Sequence, residues 1–70
     1  MYKWRLVFEL TSGKTLVGIY EGKEADTDSV ARVFLDGKLN QYIGMKGDCE
    51  KPSNLFIKRG DIAALNIFPY

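Results

Sequence analysis

The chain has 70 residues, ten of them Lys or Arg and nine Asp or Glu, for a net charge of +1. That balance excludes a global electrostatic pull toward nucleic acid or anionic lipid, and the length excludes more than a single domain, 1–70, whose folding buries only about 60% of the surface the unfolded chain exposes. One cysteine, Cys49, and no histidine exclude an internal disulfide and leave a transition-metal site without its ligands, so no cofactor is expected and extra stability must come from self-association or close packing.

Tyr2, Trp4, Leu6, Phe8 and Leu10 alternate with Lys3, Arg5, Val7 and Glu9, the period of a half-buried β-strand. The same alternation interrupts the N-terminal stretch with charge, so no secretory leader is expected there. With no later run of about 18 apolar residues, no membrane span is expected either. A lone thiol suits a reducing compartment, which makes the expected localisation cytoplasmic.

Thr11-Ser12-Gly13-Lys14 follows, with a glycine suited to the positive φ of a tight turn, and residues 15–20 are apolar again. The segment reads as a β-hairpin. Its register has two solutions. A two-residue turn at Ser12-Gly13 sets Val17 and Ile19 beside Leu6 and Phe8, whereas a bulge at Gly13 sets Leu16 and Tyr20 there. Either way, Val7 with Leu16 and Tyr20, or Val7 with Val17 and Ile19, lands on the face opposite Trp4.

Residues 21–29 have no apolar period, and Asp26, Thr27 or Asp28 can cap a helix. A helix over 27–36 would align Val30, Val33 and Phe34 as one stripe, with Gly37 as a left-handed stop. Asp36-Gly37 between apolar residues also fits a hairpin turn, which would make 29–35 a strand. Residues 41–46 read as a short strand, 47–54 as a polar loop broken by Pro52, 55–58 as another strand, and 62–68 as a last strand ended by Pro69. The expected fold is α+β: a small antiparallel sheet with one helix packed on one face, in the order β-β-α-β-β(-β). The alternative is an all-β barrel of the SH3 or Sm-like kind.

Motifs that suggest chemistry have simpler readings. Ser12-Gly13-Lys14-Thr15 looks like the end of a phosphate-binding loop, but Phe8 stands where the first glycine belongs and a strand follows where a helix N-terminus is needed. Arg59-Gly60-Asp61 reads as a turn. Cys49 has no histidine to serve as its base. Glu21, Glu24, Asp26 and Asp28 belong beside a helix start, where acidic residues complement the dipole. Tyr2-Lys3-Trp4-Arg5 interleaves aromatic and basic residues as single-strand binders do, but alternation sends the two kinds to opposite faces. No enzyme is expected.

The order of strand, glycine turn, strand, acidic-capped helix ending in Phe34-Leu35-Asp36-Gly37-Lys38, and a closing segment from Phe56 to Phe68 resembles small uncharacterised proteins of phages and prophages of Gram-positive bacteria, a group that brings no activity with it. Leu10, Gly13 and Gly18 also match the first motif of Sm-like RNA-binding proteins, and residues 57–62 resemble their second, where a basic-glycine turn touches RNA in a ring of subunits. The Asp and Met-Asn positions that line the RNA pocket in that family have no counterpart between Glu24 and Leu35.

Together these observations predict a non-enzymatic protein-interaction module, self-associating as a homodimer or binding a host or phage protein through a sheet face or an edge strand. Its candidate interface is Val7, Leu16 and Tyr20. The alternative is a small nucleic-acid binder that contacts phosphates through Lys3, Arg5, Lys58 and Arg59.

Overall fold

Alternation decides the first strand. In the computed structural model, which describes residues 1–51 and 53–70, β1 (Tyr2–Leu10) buries Trp4, Leu6 and Phe8 on one face and exposes Lys3, Arg5 and Glu9 on the other. β2 (Thr15–Gly22) returns antiparallel. Between them Gly13 sits at φ +89°. Its N–H donates to the Leu10 carbonyl at 2.9 Å, and the Leu10 N–H donates to the Lys14 carbonyl at 2.8 Å. This is a three-residue loop closed by a glycine bulge, and it selects the second register: Trp4 faces Tyr20, Leu6 faces Gly18 and Phe8 faces Leu16.

The helix α1 (Thr27–Leu35) starts where the capping residues predict and ends one residue before the expected 36. Asp26 is the N-cap; its carboxylate accepts from the Ser29 N–H at 2.7 Å, and Asp28 adds negative charge to the first turn. Val30 and Phe34, one turn apart, are buried, while Val33 remains 39% exposed. The apolar stripe is therefore narrower than the expected trio. Asp36 turns extended and Gly37 follows at φ +141°, where a Cβ would collide with the side chains of Arg59 and Gln41. The hairpin reading of Asp36-Gly37, and with it the all-β SH3/Sm-like barrel, is thus corrected: an N-capped helix with an i, i+4 apolar pair covers the sheet instead.

β3 (Tyr42–Gly47) and β4 (Asn54–Lys58) form a second hairpin, a single 3-10 turn spans Arg59–Asp61, and β5 (Ile62–Pro69) returns to pair with β1. The sheet order is β4-β3-β2-β1-β5, antiparallel throughout. The final strand, optional in the sequence reading, is a full member of the sheet, and the turn expected at Arg59-Gly60-Asp61 takes 3-10 form.

Trp4, Leu6, Phe8, Val30, Phe34, Ile43 and Ile57 make the core between helix and sheet. Phe34 stands edge-on to both Phe8 and Tyr20, with ring centroids 6.1 and 4.9 Å away. The polar ends of this layer are satisfied. Trp4 Nε1 donates to the Glu24 carbonyl at 3.0 Å, and the Tyr20 hydroxyl donates to the Glu24 carboxylate at 2.8 Å. The Tyr20 phenol is held above its ordinary range by burial and by the Glu24 carboxylate. Gly22 leaves room for this clasp, since a Cβ there would meet both groups.

Two outcomes are expected. Truncating Phe8, fully buried at the centre of the core, to Ala costs about 3–5 kcal/mol in urea unfolding, most of the stability of so small a domain. At the helix cap, the Ser29 N–H holds the Asp26 carboxyl below its usual range. A depressed carboxylate contributes stability that is complete above its unfolded-state value and is lost as pH falls through its folded-state value. Asp26→Asn keeps the cap without the charge, so thermal melts at descending pH should show a shallower acid loss than wild type.

Candidate functional site

The hairpin register sorts the candidate interface. Leu16 and Tyr20 lie on the helix-covered face, packed against the core, whereas Val7 pairs with Val17 on the opposite, open face next to Ile19. Val7, Leu16 and Tyr20 therefore share no surface. The patch around Val7 is made of half-buried Val17 and Ile19, because the glycine bulge shifts β2 by one residue relative to a two-residue turn.

The four candidate cations divide as well. Lys3 and Arg5 stand on the open face over the Tyr70 ring, 4.4 and 5.1 Å from its centroid, and Arg5 Nε contacts the Asp48 carboxylate at 2.9 Å. Lys58 is exposed on the same face, opposite Tyr42. Arg59 is not there. Its guanidinium donates to the carbonyls of Phe34 and Val33, each at 3.1 Å, and to the Gln41 side chain. It clamps the C-terminal end of α1, where unpaired carbonyls and the helix dipole favour a cation. The turn beneath it is tied down by Arg59 N to Gln41 O at 2.8 Å and Gly60 N to Leu39 O at 2.7 Å.

Several open-face residues were missed by sequence reading. Lys46 lies opposite Ile19, and four aromatic rings reach solvent there: Tyr42 (69% exposed), Phe56 (68%), Phe68 (50%) and Tyr70 (58%). Phe56 lies across Gly44, where a Cβ would come within 2.9 Å of the ring. Alternation along 42–46 and 54–58 carried the signal, but it identifies a face only once β3 is registered on β2. Beside Gly44, β2 and β3 part company after the pairs Gly18 with Gly47 and Ile19 with Lys46. They leave a cleft of about 350 Å³ whose lining includes Lys3, Ile19, Glu21, Gly44 and Lys46.

The two edges of the sheet differ. β4 is five residues long and carries Lys58, whereas residues 62–70 have no charged side chain. The Tyr70 N–H donates to the Lys3 carbonyl at 3.1 Å, so alternation of the antiparallel ladder turns the N–H and C=O of Leu65 and Ile67 outward, away from β1.

The acidic residues of 21–28 are dispersed: Glu21 faces Lys3 across the ladder, Glu24 is clasped by Tyr20, and Asp26 and Asp28 serve the helix start. Among the described residues no group of three or more His, Cys, Asp or Glu side chains is placed to hold a metal ion. Cys49 is exposed, its thiol 2.8 Å from the Lys51 carbonyl and 3.2 Å from Ser53 Oγ. No helix among the described residues is long and apolar enough to cross a membrane. Compared with family models, curated proteins and solved structures, the chain gives no match.

The Arg59 clamp makes a prediction of its own. Arg59→Ala should lower stability by about 1–3 kcal/mol and speed amide exchange in the last turn of α1. Arg59→Lys should restore little, because an ammonium cannot reproduce the planar fork that reaches two carbonyls and an amide together.

Proposed function

We propose that the protein is a non-enzymatic interaction module that pairs with a second copy of itself through the outer edge of β5. The carrying observation is that edge: residues 62–70 have no charged side chain, and the ladder turns the N–H and C=O of Leu65 and Ile67 away from β1. Natural sheets blunt their edges with charge, proline, bulges or very short strands. Here a register shift near Leu10 and the terminal Pro69 bound the strand, but nothing interrupts residues 64–68.

A second copy suits this edge for a reason of symmetry. Across a two-fold axis perpendicular to the sheet, antiparallel edges meet themselves, so any charge near the axis would face its twin. β5 has none to repel, whereas β4 would bring two Lys58 side chains toward each other. The resulting ten-stranded sheet keeps both helices on one side. It also supplies the added burial that a domain of this size needs in the absence of a disulfide. The exposed Cys49 thiol is compatible with a cytoplasmic setting.

Sedimentation equilibrium tests the proposal. Two 7.9 kDa chains should associate at micromolar concentration, with amides of Leu65 and Ile67 protected from exchange. Asn66→Lys, on an exposed side chain of the same strand, should shift the equilibrium to monomer without unfolding it. A wild-type monomer at millimolar concentration whose Leu65 and Ile67 amides exchange freely overturns the proposal. Protection of those amides only after a host or phage protein is added transfers the edge to a heterologous strand and overturns the homodimer.

A further inference from the structure

We infer that the open face of the sheet binds single-stranded nucleic acid, its bases stacked on exposed aromatic rings and its phosphates held by Lys46 and Lys58. The site shares β5 with the proposed dimer edge but uses its open-face side chains, not its outward backbone groups.

The net charge of +1 does not say where the cations stand. Glu24, Asp26 and Asp28 belong to the helix layer, while Lys3, Arg5, Lys46 and Lys58 all stand on the open face. Of the acids on that face, Asp48 is bound to Arg5, Glu21 lies opposite Lys3, and Glu9 stands at the far end of β1 between Thr15 and Ala64. Lys46 and Lys58 make no ion pair among the described residues, which leaves them to meet an anion.

The aromatic rings make that anion a nucleic acid. Phe56 lies across Gly44 at 68% exposure, with Tyr42 and Lys58 on the same face beside it. An exposed ring lying over a glycine on a pleated sheet offers its π-face to solvent, the arrangement on which unpaired bases stack. Phe68 and Tyr70 form a second aromatic pair on β5, next to Arg5 and Lys3. β4 and β5 are the two edges of the sheet, so the aromatic groups stand four strand spacings apart, about 19 Å. A mononucleotide cannot bridge that distance and an extended strand can. Duplex bases are already stacked on each other and unavailable to the rings, so the ligand is single-stranded.

Fluorescence anisotropy with labelled oligo(dT) and oligo(rU), a matched duplex and a mononucleotide competitor tests the inference. The single strands should bind at low salt, and affinity should fall about 25-fold for each tenfold rise in salt if two phosphates are held. Phe56→Ala should weaken binding at least about fivefold while leaving the thermal midpoint near wild type, because the ring is exposed. Lys46→Ala with Lys58→Ala should flatten the salt slope by about 1.4, and Lys38→Ala, away from this face, should change nothing. The inference is overturned by no anisotropy change at about 100 µM protein, by duplex binding as tight as single-strand binding, or by a Phe56→Ala variant that binds like wild type. Concentration-dependent NMR shifts at Tyr42 and Phe56 without nucleic acid would assign the face to protein contact instead, and overturn it equally.

Discussion

With Gly13 at φ +89°, the loop joining β1 to β2 closes over three residues, and Leu16 and Tyr20 come to the side of Trp4, Leu6 and Phe8. Most of the remaining architecture follows from that register. Tyr20 meets Phe34 edge-on and reaches Glu24, so the segment before α1 is drawn over the end of β2 and the helix descends onto the side of the sheet where the large rings already are. A loop one residue shorter would turn every β2 side chain over. Val17 and Ile19 would then face the helix, and the Tyr20 clasp would be lost.

A small core leaves polar contacts to place the helix along its own axis. At one end Asp26 receives the Ser29 N–H, and at the other Arg59 donates to the Val33 and Phe34 carbonyls. The clamp arrives from the turn between β4 and β5, 25 positions further along the chain. The far half of the protein therefore fixes where α1 stops as much as Gly37 does.

Covering one face of the sheet exposes the other, and the sequence treats the two differently. The covered face takes Trp4, Leu6 and Phe8 of β1 with Leu65 and Ile67 of β5, while the open one takes Lys3, Lys46 and Lys58 and four of the nine aromatic residues. Burial does not account for those four rings, each at least half exposed. Their proximity to cations, together with the uncharged β5 edge, gives the molecule two separate surfaces of different chemistry: one backbone-rich and neutral, one aromatic and basic.

What the sequence determined by itself was local. Alternation marked β1, the cap and apolar spacing marked α1, and proline and glycine marked most of the element ends, because those signals depend on residues within a turn or two of each other. The α+β class followed, since one amphipathic helix and several half-apolar strands can seal only against each other. The pairing of β1 with β5, the face shared by Lys3, Lys46, Phe56 and Lys58, and the inward turn of Arg59 were decided by tertiary structure. Each rests on registers between segments far apart in the chain, and with a strand period of two, a single-residue shift in any of them exchanges buried for exposed side chains. That is why the patch of Val7, Leu16 and Tyr20, plausible in one register, has no existence in the folded protein.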